Sequence, residues 1–146
     1  MSDIDSKARP QTRKAAPVRR TRLIAVVAAA AGTAIVHAVA TAAGAAMEAP
    51  MPGQGIGPVT MANSVIAALV ASGLGWAARA LLDRFAPRKA AVMWLAGATI
   101  VFVLEIFPPL LAEATPGTKA ALLMMHVVVA AAMFPVFARR RPAADA

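Results

Sequence analysis

Cysteine and tyrosine are both absent from these 146 residues. Without cysteine there can be no disulfide, no thiol redox chemistry and no thiolate metal site. Charge is scarce too, at 15%, and aromatic residues make up only 5%, whereas 60% of the chain is hydrophobic. A soluble domain of this length could not hide so much apolar surface. The catalytic groupings that spacing can reveal are also missing. There is no Ser–His–Asp set, no HExxH and no pair of carboxylates, so no catalytic residue and no enzyme activity is expected.

What is present is apolar sequence in four long blocks, each near the ~20 residues a helix needs to cross ~30 Å of hydrocarbon. The blocks are rich in alanine, the strongest helix former, and lack the alternation of membrane β-strands. The expected fold is an all-α membrane protein, an antiparallel bundle of four transmembrane helices at about 23–47, 60–82, 90–111 and 118–138. Residues 1–22, with Pro10 and Pro17 among seven basic residues, read as a disordered cytoplasmic tail. Residues 139–146 form a second short tail. The segment Glu48 to Val59 carries Pro50, Pro52, Pro58, Gly53, Gly55 and Gly57 and reads as a loop. Its glycines mimic the start of a nucleotide-binding GxGxxG, but no strand precedes them to form a βαβ unit. Pro87 turns the second block into the third, and Pro108–Pro109 should kink or stop the third near its end.

The formal net charge of +8 would suggest nucleic acid for a soluble protein. Here the basic residues flank apolar blocks, so anionic lipid headgroups are the expected partners and nucleic acid is not. Fourteen of the fifteen fall in the N-terminal tail, at the second-to-third connection (Arg79, Arg84, Arg88, Lys89) or after the fourth block, and only Lys119 lies opposite. By the positive-inside rule the chain is a multi-pass protein of the plasma membrane with both termini cytoplasmic. Arg19–Arg20, the first apolar block and the small residues that close it also describe an export signal with a cleavage site. That run is ~24 residues, against the 7–15 of a signal core. Trp76 and Trp94 fall near the inner interface and read as anchors.

Small residues four apart should let the helices approach: Ala28 and Gly32, Ala40 and Gly44, Ala71 and Gly75, and the face Ser64, Ala68, Ser72. Away from the ends of the spans, His37, Glu105 and His126 can ionise, and such residues are functional candidates by default. Counted from the basic ends, His37 and Glu105 lie roughly 22–24 Å up, and His126 lies ~10 Å below the outer side, so all three share one layer. Thr33 and Thr41 flank His37 at every fourth position, and Asn63 reaches the same level. The plainest expectation is that Glu105 hydrogen-bonds a histidine and fixes helix register. The same set would also suit a proton relay or transporter, or a cofactor-binding redox subunit, though no specific cofactor or metal motif accompanies it. The small-residue faces favour a structural or accessory component of the cell envelope that associates with itself or with another membrane protein.

The stretch TPGTKAALLMMHVVVAAAMFPV, with Thr118, Lys119, Met125 and His126, resembles a family of small actinobacterial membrane proteins, a domain of unknown function. Gly57, Pro58 and Val59 and the four-span layout are also similar. The resemblance implies a four-helix membrane fold and supplies no substrate or catalytic residue.

Overall fold

The order of elements follows from four apolar blocks separated by proline and glycine. The computed structural model describes residues 15–51, 53 and 55–139. It contains α1 (Ala15–Ala42), β1 (Glu48–Met51), β2 (Gly55–Pro58), α2 (Met61–Phe85), α3 (Ala90–Leu111) and α4 (Pro116–Phe137). All four helices are long and apolar enough to cross a bilayer. They form an antiparallel bundle in which α1 packs against both α4 and α2, while α3 closes the far side against α4 and α2. One end of the bundle carries arginines and the other a β-hairpin.

The ends of α1 depart from the sequence expectation. The helix begins at Ala15, so residues 15–22 are helical and not a disordered tail, while residues 1–14 lie outside the described residues. The early start has a tertiary cause: Arg22 is buried, and its guanidinium pairs with Asp83 of α2 at 2.8 Å. At the other end α1 stops at Ala42. Gly44 takes a left-handed φ of 83°, and the amides of Gly44 and Ala45 turn back to Thr41 and Ala40. This is a Schellman stop, and it makes Gly44 a helix terminator, not a packing residue.

The segment after α1 is not the irregular loop that its prolines suggested. Residues Glu48–Met51 and Gly55–Pro58 pair antiparallel, with Ala49 opposite Gly57 and Met51 opposite Gly55. Gly53 and Gly55, at φ 74° and 75°, provide the left-handed backbone that the reversal needs. Met47 joins the hairpin to the bundle. Its side chain is buried with Ala121 and Met125, its carbonyl accepts from Val59 N–H, and its own amide donates to Thr118 Oγ1 at 3.1 Å. Thr118 is fully buried and also contacts Thr115 Oγ1 at 3.0 Å, so it ties the start of α4 to the hairpin.

Thr118→Val keeps the shape of the residue but removes the acceptor, leaving a buried amide unsatisfied at a cost of about 1–3 kcal/mol. We expect a lower melting temperature in detergent and faster hydrogen exchange at the Met47 amide. Unchanged exchange there would show that the contact does not hold the hairpin.

Lys119, the basic residue on the hairpin side, has a structural role. Its ammonium donates to Leu110 O at 3.1 Å, satisfying a carbonyl in the last turn of α3. That turn contains Pro108 and Pro109, and α3 nevertheless continues through both to Leu111.

One glycine sets a helix separation. A Cβ on Gly32 would overlap a methyl of Val128, so α1 and α4 cross at that point with no room for a side chain. Gly75 lies against Met133 and Trp94. Trp94 is not an interfacial anchor. It is buried, stacked on Phe137 at 5.3 Å between ring centroids, and it donates from Nε1 to Gly75 O at 2.8 Å. The face Ser64, Ala68, Ser72 is buried as expected, and Arg79 extends it.

Candidate functional site

The residues singled out by sequence separate into three environments. His37 is buried between α1 and α2, with Nδ1 3.5 Å from Ser64 Oγ. Ser64 also donates its hydroxyl to Thr60 O at 3.0 Å. One turn away, Thr33 is also buried, and its Oγ1 has no hydrogen-bond partner among the described residues. His37, Thr33 and Ser64 thus form a polar seam inside the bundle, which continues along α2 to Ser72.

The other residues of the expected layer face elsewhere. Thr41 is exposed, and its hydroxyl donates to the His37 carbonyl of the same helix at 2.9 Å. Asn63 is exposed, and its backbone amide is used by the Thr60 N-cap of α2. His126 is half-buried and donates from Nδ1 to Leu122 O, one turn back on α4, at 2.7 Å. Glu105 is exposed on α3 and makes no hydrogen bond or ion pair with another described residue. The expected bond between Glu105 and a histidine is therefore not made. Among the described residues no three His, Asp or Glu side chains come together in a group that could hold a metal ion. Matching depth says nothing about which way a side chain faces around its helix axis.

The densest polar cluster is at the arginine end, where sequence reasoning saw only a helix terminus. Asp83 accepts from Arg22 at 2.8 Å and lies 3.3 Å from Arg79, one turn earlier on α2. Arg79 is 1% exposed and also donates to Arg139 O at 3.1 Å, which ties the end of α4 to α2. The Arg22 guanidinium lies over the Phe137 ring at 5.5 Å, and Phe137 is itself fully buried. The cluster thus joins α1, α2 and α4 at one level. Its sequence signal was the i, i+4 spacing of Arg79 and Asp83, which puts both on one helix face. Asp83 is also the only acidic residue between Glu48 and Glu105.

Four apolar spans, one polar seam and one buried ionic knot define a small multi-pass membrane protein. The chain belongs to the Family of unknown function (DUF6069), whose model matches residues 13–143. No curated protein and no solved structure matches it.

Proposed function

We propose that this chain is a non-catalytic, self-associating component of the cell envelope, and that α3 provides its contact face. The observation that carries this reading is Glu105: a carboxyl within a span, exposed on the outside of the bundle and without a partner among the described residues. Ionised carboxylates facing lipid are costly, and such groups normally meet another polar group. Gly97, Val101 and Glu105 follow one another at intervals of four on the exposed side of α3. Nothing lies within 4 Å of a Cβ built on Gly97, so a second helix has room to approach closely there.

A second copy fits this face by symmetry. Two chains inserted with the same topology present parallel α3 helices, and a twofold axis along the membrane normal sets Gly97 against Gly97 and Glu105 against Glu105, where a protonated carboxyl donates to its ionised partner. In this arrangement the arginine end faces the cytoplasm, following the positive-inside bias.

The absence of cysteine gives a clean background for testing. Val101→Cys should form an oxidative dimer in native membranes, while Val70→Cys, exposed on α2, should not. Interhelical polar contacts in lipid contribute about 0.6–2 kcal/mol, so Glu105→Leu should weaken the dimer by about threefold to thirtyfold. Only monomer from Val101→Cys, or equal crosslinking at both positions, would refute the reading.

A second reading rests on the buried relay of His37, Ser64 and Thr60, which resembles a short proton path. It is the weaker of the two, because no carboxylate extends the relay and His126 is bonded to its own helix.

A further inference from the structure

At the arginine end a crevice of ≈520 Å³ opens between α1 and α2. Arg19, Arg22, Trp76, Asp83 and Arg84 line it. Asp83 faces two arginines, Arg22 and Arg79, so its single negative charge is more than balanced. Counting Arg19, Arg22 and Arg84 against Asp83 leaves an excess of two positive charges along the lining of the crevice. Arg19 and Arg84 are exposed, neither makes a hydrogen bond or ion pair with another described residue, and Arg84 only rests against the neighbouring Phe85 ring at 5.8 Å.

The height of the crevice points to a lipid as the source of such an anion. Just beyond it along α1, Leu23 and Ile24 face outward with more than half their surface exposed, as suits contact with hydrocarbon. The arginines therefore stand at the level of lipid phosphates, where each guanidinium offers a planar pair of donors suited to two phosphate oxygens. Trp76, half-buried on the same wall, is the kind of amphipathic ring that favours this interface.

We propose that this crevice binds the phosphodiester of one anionic phospholipid. Arg19 and Arg84 hold the phosphate oxygens, the Arg22–Asp83 pair forms the floor, and Trp76 packs beside the glycerol. This goes beyond a general attraction to acidic membranes, because it assigns one lipid to one site. It is also independent of self-association through α3.

The test is native mass spectrometry of the full chain in neutral detergent, titrated with phosphatidylglycerol or phosphatidylcholine. We expect one phosphatidylglycerol to be retained in clear preference to phosphatidylcholine. The double variant Arg19→Gln/Arg84→Gln should lose about tenfold or more of that affinity, since it removes both guanidiniums that hold the phosphate oxygens. Arg88→Gln/Lys89→Gln removes the same charge from exposed positions that do not line the crevice, and it should bind like the parent. Equal losses in the two double variants would reduce the effect to diffuse electrostatics and overturn the proposal. So would equal retention of the two lipids, or displacement of bound phosphatidylglycerol by inorganic phosphate at matching concentration, which would mark a site for the free ion.

Discussion

Asp83→Asn is expected to destabilise the bundle by about 3–5 kcal/mol, the usual cost of breaking a buried ion pair from one side. The carboxylate lies between Arg22 and Arg79, both of them buried, and the variant leaves two guanidiniums in a poorly hydrated site with a neutral amide between them. Loss of the attraction is only part of the cost; the larger part is desolvated positive charge that no longer faces this carboxylate. A triple replacement, Arg22→Met, Arg79→Met and Asp83→Leu, should therefore cost less than the single one, because it removes the charges together and keeps much of the apolar contact. Thermal unfolding in one detergent, monitored by helicity, would compare the three proteins. If Asp83→Asn melted with the parent, the cluster would be shown to be hydrated in solution and unimportant for stability.

The second large effect is expected at the crossing of α1 and α4. Gly32→Leu puts a whole side chain where even a Cβ overlaps Val128, and overpacking of this kind costs about 1–3 kcal/mol or more. A subtler measurement separates crowding from a general dislike of substitution. Gly32→Ala gains about 1 kcal/mol of helix propensity and loses it again to the clash. Val128→Ala removes the methyl that causes the overlap. The pair Gly32→Ala/Val128→Ala should then be more stable than the sum of its single variants, by at least about 1 kcal/mol of coupling. Strict additivity would mean that the two helices simply move apart, and that Gly32 does not fix their separation.

The spans were legible because hydrophobic length is a property of sequence alone. The third block, 90–111, coincides with α3, and the others differ by a few residues where a cap or a stop decides the end. The start of α1 was not legible, because helicity at Arg22 depends on a partner sixty-one residues away. The hairpin was missed because proline argued against structure, whereas the informative signal was the pair Gly53 and Gly55 at a reversal. Burial of His37 and Thr33 could be read from their spacing. The outward direction of Glu105 could not, because α3 is apolar all round and so carries no pattern to say which side faces the neighbours. Asp83 was visible but undervalued. Beside a basic turn it looked like part of a solvated helix end, and only the packing shows it inside.

The contacts linking α1 to α2 also bear on how the protein is made. Two polar links between these helices, Arg22 to Asp83 and His37 to Ser64, lie within the first 85 residues. The leading pair of spans can neutralise its acid and shelter its imidazole while the rest of the chain is still on the ribosome. Gly32, in contrast, waits for Val128, so the groove it lines stays open until the last span arrives. Biogenesis of this bundle thus divides into an early polar clasp and a late steric closure, and a chain truncated before Pro116 would retain the first and lack the second.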